Sequence, residues 1–561
     1  MPASKLGQQG MMSKKVAIIG AGASGLTAIK SCLEEGLEPT CFERSTDIGG
    51  LWRFTHDIEE GRGSIYSSVA TNTSKEMMSY SDFPMPNDFP VYPHHSKILE
   101  YLQLYTEHFN LRKHIQLNTE VCSVMKNSDF DTTGQWNIVT EKNGIKELAT
   151  FDAVIVCSGH FSDPYLPLNS FPGIELFKGR YIHSRFYKTP ENYLGKTVLI
   201  VGAGNSAGDI AAEISFTAKQ VFLSTRQGTW IVSRISHNGF PIDMVLLRRW
   251  TTWLKNLLPF ALSAKLNAKI FGRWFDHSNY GLEPKNRLKN PVVNDYLPCQ
   301  ILHGLIKVKP KIKEIKETSV IFEDNTETGR LDEIIFATGY NATFPFIDDP
   351  VMKLNENPVS MYKNVFPINL AKPTMAFLGL IQPLGSILPT TEIQARWAAR
   401  VFKGKRGHLS NQKLMRRVRG GGPHPTLRGR RFGSGKAQIF QAHYIEYIDE
   451  VSKEIGNHPK ILSLFFTDPR LALKIFFGPC TSYQYRLTGP GKWHGAREAI
   501  LTQWDRTLNA TRTRVIFKNH GTRSVLPTLL VFCTLTAAVY LGYKQLSFKK
   551  KNCNQYFSMI K

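Results

Sequence analysis

The sequence predicts an α/β protein with two doubly wound parallel sheets and a C-terminal transmembrane helix. An apolar strand, at 15–19 and again at 196–201, is each time followed by a glycine-rich turn and an amphipathic helix, and the second turn begins 182 residues after the first. This succession is typical of a Rossmann-like dinucleotide-binding domain. An almost uncharged run from Val525 to Tyr543 predicts the transmembrane helix. Two dinucleotide sites in one chain favour an enzyme that moves electrons between two dinucleotides.

The first glycine turn has the spacing that a bound pyrophosphate requires. Its first glycine permits a tight turn, the second lets the backbone approach the phosphates, and the third lets the helix pack on the strand. Glu43 stands 23 residues after Gly20, where a carboxylate accepts hydrogen bonds from a ribose diol. This carboxylate suits FAD or NAD and disfavours a 2′-phosphate. The predicted pyrophosphate-binding residues are Gly20, Ala21, Gly22, Ala23, Ser24 and Gly25.

The second glycine turn differs at the position that contacts the ribose. Thr225 stands 23 residues after Gly202, and Arg226 follows it. Because a guanidinium pairs bidentately with a 2′-phosphate, this site is predicted to bind NADPH. A solvated surface arginine is the alternative interpretation of Arg226. The predicted NADPH-binding residues are Gly202, Gly204, Asn205, Ser206, Ala207, Gly208, Asp209, Ser224, Thr225 and Arg226.

The cysteines limit where the electrons can go. Flavoproteins that reduce a disulfide carry a close cysteine pair such as C-x-x-C. The eight cysteines of this chain include no such pair and no metal-ligand spacing, so no metal site is predicted. Reduced flavin would therefore pass its electrons to O2 or to a small diffusible substrate.

Further motifs carry a resemblance to a known family. Residues 177–187 match F-x-G-x-x-x-H-x-x-x-[YW], the signature of class B flavoprotein monooxygenases, and residues 336–340 match their F-A-T-G-Y element. Together with the motifs at 49–54, 71–78 and 478–480, they make the chain resemble the vertebrate microsomal flavin-containing monooxygenases, the dimethylaniline monooxygenase family. The resemblance covers nearly the whole chain.

The resemblance implies an NADPH- and O2-dependent flavin monooxygenase. Such an enzyme forms a C4a-hydroperoxyflavin and oxygenates soft nucleophiles, the N- and S-containing xenobiotics, to N-oxides and S-oxides. Asn72 would be the active-site asparagine, since its amide donates hydrogen bonds without a charge that shifts with pH. Without the family, Asn72 would be interpreted as a turn residue. Leu51 and Trp52 would lie toward the isoalloxazine of FAD, and Thr71 and Thr73 would also bind cofactor.

The family signature implies residues that position the domains. An isolated histidine is most often structural, and His183 lies in the linker between the two nucleotide-binding domains. We therefore assign it a positioning role and no proton transfer. Tyr187 stands where the Baeyer–Villiger subgroup usually has tryptophan, which favours heteroatom oxygenation. The signature and positioning residues are Phe177, Gly179, His183, Tyr187, Thr338 and Gly339.

The chain of 561 residues is long enough for two or three domains. We predict the first part of an FAD-binding domain at 12–165, an NADPH-binding domain at 166–330, and the second part of the FAD-binding domain at 331–510. An aromatic and basic insertion at 236–298 would cover the substrate entrance, lie on a membrane or pack as ordinary core.

The N-terminal segment does not predict a signal peptide, whereas the C-terminal segment predicts a membrane anchor. The segment from Met1 to Met12 has no apolar core, so it is no signal peptide, and the true start, Met1 or Met12, stays open. Residues 525–543 would span about 28 Å as a helix at ~1.5 Å per residue, enough to cross a bilayer. A buried terminal helix is the alternative. An anchor there leaves the catalytic domain facing the cytosol, and the resemblance implies the endoplasmic reticulum membrane.

The net charge of +24 is concentrated in residues 403–436, which contain eleven Lys and Arg, eight Gly and no acidic residue. We predict an irregular segment there, whereas the family pattern is a charged helix. A solvated loop is favoured over a site for RNA or anionic lipid, so a nucleic-acid partner is not predicted.

Three alternatives to this function stay open. The chain could be a Baeyer–Villiger oxygenase, an uncoupled NADPH oxidase that releases H2O2, or a catalytically impaired membrane protein in which residues 403–436 disturb folding. The sequence does not identify which amines, sulfides or ketones are substrates, and the oligomeric state stays open.

Overall fold

The computed structural model describes residues 13–285, 291–348, 361–404, 431–432 and 439–514. The described residues up to Thr511 belong to one compact unit. The N-terminal residues to Met12, most of the Arg/Gly-rich segment 403–436 and the predicted anchor 525–543 lie outside the described residues.

The described strands are short, and ten of them form the two parallel sheets. In chain order they are β1 Lys15–Ile19, β2 Glu38–Phe42, β3 Ile115–Gln116, β4 Glu120–Lys126, β5 Trp136–Lys142, β6 Ile145–Phe151, β7 Ala153–Val156, β8 Asp163–Pro164, β9 Arg180–His183, β10 Thr197–Val201, β11 Gln220–Ser224, β12 Ile231–Val232, β13 Val292–Val293, β14 Ile306–Lys309, β15 Ile312–Ile315, β16 Val320–Phe322, β17 Glu333–Phe336, β18 Tyr340–Asn341, β19 Met361–Tyr362, β20 Phe366–Pro367, β21 Met375–Phe377, β22 Ile381–Leu384, β23 Arg431–Phe432 and β24 Ile439–His443.

The helices connect and cover these strands. They are α1 Ala23–Glu34, α2 Lys75–Met78, α3 His95–His108, α4 Phe130–Thr133, α5 Asn205–Ile214, α6 Ile242–Leu246, α7 Arg249–Leu257, α8 Phe260–Gly272, α9 Leu297–Leu302, α10 Ile387–Lys403, α11 Tyr444–Ile455, α12 Ile461–Thr467, α13 Pro469–Phe477 and α14 Ala496–Asn509.

The first parallel sheet positions the first glycine turn. Its strand order is β21-β7-β1-β2-β3, and every neighbouring pair is parallel. All of β1 except Lys15 is buried, as expected for a parallel strand that is covered on both faces. α1 follows the turn and packs against α10, and Leu26, Ile29 and Trp397 belong to the largest buried core. The strand predicted at 15–19 is therefore confirmed.

The second parallel sheet positions the second glycine turn. Its order is β14-β11-β10-β17-β9, again with parallel neighbours. β17 pairs with β10 and β9 up to Phe336, so it belongs to this sheet. The predicted boundary at 330 assigns β17 to the second part of the FAD-binding domain, and the pairing moves that boundary past Phe336. The division into domains is otherwise a prediction.

The predicted insertion 236–298 contains α6, α7 and α8. Trp253 and Trp274 are 42% and 48% exposed, whereas Phe275 is buried. The insertion thus contributes both to the core and to the surface. Among the described residues, no helix is long and apolar enough to cross a membrane.

Candidate active site

Backbone atoms pack closely around the first glycine turn. Gly20 has a φ of +98°, and its N–H donates to the carbonyl oxygen of Phe42 at 2.8 Å, which ties the turn to β2. A Cβ atom on Gly25 would lie 1.9 Å from the carbonyl oxygen of Gly20. A Cβ atom on Gly20 would lie 2.9 Å from the carbonyl oxygen of Cys157. Glycine is therefore required at both positions.

Glu43 is buried beside this turn and accepts hydrogen bonds from the protein itself. Its Oε2 accepts from the backbone N–H of Ala21 at 2.7 Å, and its Oε1 accepts from the N–H and hydroxyl of Ser45 at 2.9 and 2.6 Å. Each carboxylate oxygen has two lone pairs, so Oε2 keeps the capacity for one further donor. Glu43 thus fixes the shape of the turn, and its contact with a ribose stays a prediction.

The residues around the first turn fit a bound dinucleotide. No side chain caps the N-terminus of α1, which begins after Gly22, so the first N–H groups of this helix are left for an anion. A Cβ atom on Gly22 would lie 3.6 Å from the Cα of Gly50. The Thr71 hydroxyl is buried and has no hydrogen-bond partner among the described residues. An unpartnered buried hydroxyl is expected where a bound group supplies the partner.

The predicted residues Leu51 and Trp52 lie next to the first glycine turn. They belong to the 3-10 turn Gly50–Trp52, and the N–H of Gly49 donates to the carbonyl oxygen of Ala21 at 3.1 Å. Both side chains are half-buried, and Trp52 packs against the largest core. They are therefore placed where a ligand of the turn can reach them.

Asn72 is held by an arginine that the sequence analysis missed. The Oδ1 of Asn72 accepts from Nη2 of Arg234 at 2.6 Å, and Nε of Arg234 donates to the carbonyl oxygen of Thr71 at 3.1 Å. Arg234 is also paired with Asp295. Thr73, the next predicted residue, is half-buried. No sequence signal identifies Arg234, because it is one of many basic residues in this part of the chain.

Asp243, at the start of α6, holds the other end of the same loop. This residue too was not predicted from the sequence. Its Oδ2 accepts from the N–H and hydroxyl of Ser74 at 2.7 and 2.8 Å. Burial raises the pKa of the Asp243 carboxyl to about 6, although the hydrogen bonds from Ser74 act in the opposite direction. A carboxylate between apolar neighbours, Ile242 and Met244, was the available signal.

The second glycine turn has more open surroundings. Gly202 has a φ of +140° and donates to the carbonyl oxygen of Ser224 at 3.0 Å. A Cβ atom there would lie 2.4 Å from the carbonyl oxygen of Ala337. Gly204 is exposed, and a Cβ atom on it would meet no atom within 4 Å. No side chain caps α5, which begins after Gly204, so a pyrophosphate has both space and N–H donors here.

The other predicted residues at the start of α5 are partly engaged by the protein. Asn205 accepts from the N–H of Val293 through Oδ1 at 3.1 Å. Ser206 is half-buried, Ala207 is buried, and a Cβ atom on Gly208 would lie 2.9 Å from a methyl group of Val292. These contacts pack α5 closely against β13.

Asp209 has contacts other than the predicted one with cofactor. Its Oδ2 accepts from the hydroxyl of Tyr66 at 2.6 Å, and its Oδ1 accepts from Nδ2 of Asn294 at 2.7 Å. One turn further along α5, Glu213 accepts from the hydroxyl of Ser68 at 2.8 Å. Asp209 therefore ties the loop before Asn72 to α5, and a direct contact with NADPH stays a prediction.

Arg226 lies in the open part of the second site. Ser224 donates through its hydroxyl to the carbonyl oxygen of Pro310 at 2.8 Å, and Thr225 accepts from the N–H of Gly228 at 3.1 Å. Arg226 itself is exposed, and no ion pair joins it to another described residue. Its guanidinium is thus accessible to a phosphate, and the solvated alternative stays equally compatible with this geometry.

His183 is neutral, and both of its ring nitrogens are hydrogen-bonded to backbone groups. Nδ1 of His183 accepts from the N–H of Arg185 at 3.1 Å, so the proton resides on Nε2, which donates to the carbonyl oxygen of Gly339 at 2.9 Å. Burial lowers the pKa of His183 to about 4. This geometry supports a positioning role, because neither ring nitrogen is available for proton transfer.

The remaining signature residues pack around the same linker. The ring of Phe177 is buried, and a Cβ atom on Gly179 would lie 2.5 Å from it. Tyr187 is buried, and its ring centroid lies 5.7 Å from that of Tyr66. Thr338 donates through its hydroxyl to the carbonyl oxygen of Tyr165 at 2.5 Å. These residues hold the crossover between the two sheets.

The cysteines of the described chain are free thiols, namely Cys32, Cys41, Cys122, Cys157, Cys299 and Cys480. Within the same residues, no group of three His, Cys, Asp or Glu side chains is placed to hold a metal ion.

Residues 13–544 match the family model described as flavin-binding monooxygenase-like. The chain belongs to this family. The predicted resemblance is therefore confirmed, and the chain is an oxidoreductase, a flavin-containing monooxygenase of the dimethylaniline monooxygenase type. FAD and NADPH are its expected cofactors.

Curated relatives in this family cover almost the whole chain. Dimethylaniline monooxygenase [N-oxide-forming] 2 of Rattus norvegicus is 54% identical over 507 residues, 90% of this chain and 94% of that protein. Flavin-containing monooxygenase 2 of Homo sapiens is 52% identical over 95% of this chain and 99% of its own length. Flavin-containing monooxygenase 1 of Sus scrofa is also 52% identical, over 94% of this chain and 99% of its own length.

Solved structures support the α/β flavin monooxygenase fold. S-allyl-L-cysteine S-oxygenase from Allium sativum has a TM-score of 0.57 at 23% identity and covers 82% of this chain and 94% of that one. The structure of OTEMO in complex with FAD and NADP has a TM-score of 0.51 at 17% identity and covers 69% of this chain and 84% of its own.

Proposed function

We propose that this flavin-containing monooxygenase uses NADPH and O2 to oxygenate soft nucleophiles, the N- and S-containing xenobiotics, to N-oxides and S-oxides. One observation carries the proposal: the loop that bears Asn72 is hydrogen-bonded to α5 of the second sheet through Tyr66 and Ser68. Its Thr71 donates through its N–H to Pro93, next to α3. The loop would therefore lie between the two nucleotide sites, where reduced flavin, O2 and substrate would meet.

The chain's own residues would bind and orient the two cofactors. The N-terminus of α1 would hold the FAD pyrophosphate, and that of α5 would hold the NADPH pyrophosphate. Arg226 would pair with the 2′-phosphate. When bound, FAD reduced by NADPH would supply the oxygen-transferring chemistry through a C4a-hydroperoxyflavin.

Asn72 would act as a hydrogen-bond donor toward the reacting atoms. Its Oδ1 is occupied by Arg234, and its Nδ2 makes no hydrogen bond to another described residue. Because an amide carries no ionisable proton near neutral pH, its donation stays constant over the working range. The protein needs little acid–base chemistry if the cofactor supplies the activated oxygen, so excluding water and fixing the donors are the main demands.

The choice of substrate class has support from the curated relatives. The rat, mouse and guinea-pig relatives are all described as N-oxide-forming dimethylaniline monooxygenases at 53–54% identity. S-oxidation is proposed on chemical grounds, because a thioether sulfur, like a tertiary amine nitrogen, is a soft nucleophile that attacks an electrophilic oxygen.

Product analysis tests the proposal. Purified enzyme with NADPH and O2 would be given dimethylaniline, a dialkyl thioether and a cyclic ketone in separate reactions. We expect N-oxide and sulfoxide in amounts close to the NADPH consumed and no lactone from the ketone. Lactone as the main product would indicate a Baeyer–Villiger oxygenase, and H2O2 in place of any oxygenated product would indicate an oxidase. Protein that holds no flavin would indicate a catalytically impaired protein.

We further propose that residues 525–543 anchor the enzyme in the endoplasmic reticulum membrane, with the catalytic domain in the cytosol. The support is the sequence alone, a nearly uncharged run long enough to cross a bilayer. Protease treatment of intact microsomes tests both parts. Digestion of the catalytic domain without detergent, with alkaline-resistant membrane association of the remainder, is the expected result. Protection of the catalytic domain would overturn the orientation.

A further inference from the structure

We propose that Arg234 is a positioning residue that fixes the amide of Asn72 in the orientation that points its N–H donors into the site. This inference rests on the proposed function. It starts from one contact, the 2.6 Å hydrogen bond from Nη2 of Arg234 to Oδ1 of Asn72.

The chemistry of the pair determines which way the amide points. A guanidinium has five N–H donors and no acceptor, so the amide atom that faces it must be the oxygen. The Nδ2 group of Asn72 is therefore turned to the opposite side, where it meets no acceptor among the described residues. Without the arginine, the amide could rotate by 180° and present an acceptor in place of two donors.

Arg234 is held in place by four other contacts, two of its guanidinium and two of its backbone. Its Nε donates to the carbonyl oxygen of Thr71 at 3.1 Å, and its Nη1 donates to Oδ2 of Asp295 at 2.9 Å. The same Asp295 accepts from the backbone N–H of Arg234 through Oδ1 at 2.8 Å. The carbonyl oxygen of Arg234 accepts from the hydroxyl of Tyr92 at 2.6 Å. Arg234 thus contacts the loop in one fixed conformation.

The loop around Asn72 is fixed at its two ends by residues other than Arg234. Tyr66 and Ser68 are fixed to α5, and Ser74 is fixed to Asp243. Between these ends, Arg234 bonds both to the backbone, at the carbonyl oxygen of Thr71, and to the amide of Asn72. Arg234 contributes what these contacts cannot, because it is the described residue that bonds to the amide itself.

A double-mutant cycle separates a positioning role from a general structural one. FAD-loaded Arg234→Ala, Asn72→Ala and the double variant would be compared by the H2O2 released per NADPH consumed in the presence of a thioether. We expect each single variant to release about 10-fold more H2O2, and the double variant to release no more than Asn72→Ala. If the increase in H2O2 release in the double variant equalled the product of the two single increases, the proposal would be overturned, because Arg234 would then act independently of Asn72.

Two further variants keep the test interpretable. Arg234→Lys keeps the charge but cannot donate to Thr71, Asn72 and Asp295 together, so we expect it to retain FAD and still release more H2O2 than wild type. Arg497→Ala, which breaks an exposed ion pair with Asp468, is the control and should behave as wild type. The proposal would be overturned if Arg234→Lys and Arg234→Ala each released no more H2O2 than wild type.

A readout independent of turnover distinguishes failure of this inference from failure of the proposed function. Hydrogen–deuterium exchange of the FAD-loaded enzyme would be followed in peptides that cover residues 69–75. We expect Arg234→Ala to accelerate exchange there and to leave the segment around Gly20 unchanged. Unchanged exchange in 69–75 would overturn the contact, even in an enzyme that oxygenates thioethers. Wild-type enzyme without any oxygenated product would overturn the proposed function, whatever the exchange shows.

Discussion

The two glycine turns have the same order of strand, turn and helix but very different surroundings. At the first turn, added Cβ atoms on Gly20 and Gly25 would overlap backbone oxygens, and Glu43 is buried with its carboxylate bound to Ala21. At the second turn, Gly202 is also crowded, with an added Cβ atom 2.4 Å from the carbonyl oxygen of Ala337, but Gly204 faces open space and Arg226 is exposed. The first site is preformed and closed by its own backbone, whereas the second is open to a ligand that arrives from solution.

This difference fits two cofactors with different residence times. A prosthetic FAD has to stay through many turnovers, so a rigid and pre-organised site suits it. NADPH has to enter and NADP+ has to leave, which an exposed glycine and an exposed arginine allow. The comparison therefore predicts that substitutions at the two turns separate into effects on flavin retention and effects on nicotinamide affinity.

The largest effect is expected for Gly25→Ala. The added methyl group would lie 1.9 Å from the carbonyl oxygen of Gly20, so either the turn or α1 has to move. We expect protein that loses its flavin on gel filtration, measured as the ratio of flavin to protein absorbance. The position equivalent to Gly25 in the second turn is already Ala207, so Gly204→Ala is the comparison substitution there, with an extended backbone and no atom within 4 Å of its Cβ. It should keep flavin and raise the KM for NADPH about 10-fold. Loss of flavin from Gly204→Ala as well would remove the distinction.

Glu43→Gln should weaken FAD binding without unfolding the protein. Glutamine keeps one of the two oxygens that accept from Ala21 and Ser45 and loses the negative charge. Hydrogen bonds to a charged group contribute roughly 1.5–3 kcal/mol, so the Kd for FAD should rise about 30-fold. Fluorescence titration of the apoprotein with FAD measures it. An unchanged Kd would mean that Glu43 neither contacts FAD nor shapes a part of the first glycine turn that contacts FAD.

Arg226→Ala should affect only the second site. If the guanidinium pairs with the 2′-phosphate, its loss should raise the KM for NADPH about 10-fold and leave the KM for NADH unchanged. Steady-state kinetics with both nucleotides measure this, and the flavin content should equal that of wild type. Equal increases for NADH and NADPH would show that Arg226 is a solvated residue whose removal disturbs the site indirectly.

The smallest effect is expected at the linker that both sites share. The pKa of His183 is about 4 in the folded protein and 6.5 in the unfolded chain, so only the unfolded chain gains a proton as the pH falls from 7 to 6. Stability therefore decreases with falling pH, by about 0.7 kcal/mol over this unit for one such histidine. His183→Gln should remove that part of the loss in urea unfolding, while the buried His160 retains its own. An unchanged pH dependence would mean that His183 is protonated in the folded protein.

Local sequence patterns predicted the parts of the molecule that depend on neighbours along the chain. The strand at 15–19 and the turn at Gly20 follow from spacing and chemistry within one strand–turn–helix unit, whereas the cofactor contacts of Glu43 and Arg226 stay predictions. The family motifs predicted the enzyme class because they are long and numerous. The boundary at 330 falls just before β17 because the sheet of this strand is set by pairing with distant strands, which leaves no local pattern.

The contacts that hold the candidate active site were not predictable in this way. Arg234 lies 162 residues from Asn72, and Asp243 lies 169 residues from Ser74. A hydrogen bond over such a separation leaves no periodicity or spacing in the sequence. The same applies to Asp209, which the glycine pattern assigns to NADPH and which the structure joins to Tyr66.

Rapid mixing tests the central claim, that a closed FAD site and an open NADPH site cooperate in oxygenation. Enzyme reduced by NADPH without O2 would be mixed with O2, with and without a thioether, while flavin absorbance is recorded. We predict complete reduction by NADPH, slow return of oxidised flavin without thioether, and fast return with one sulfoxide formed per NADPH when thioether is present. Immediate reoxidation with one H2O2 per NADPH, whether or not thioether is present, would contradict it.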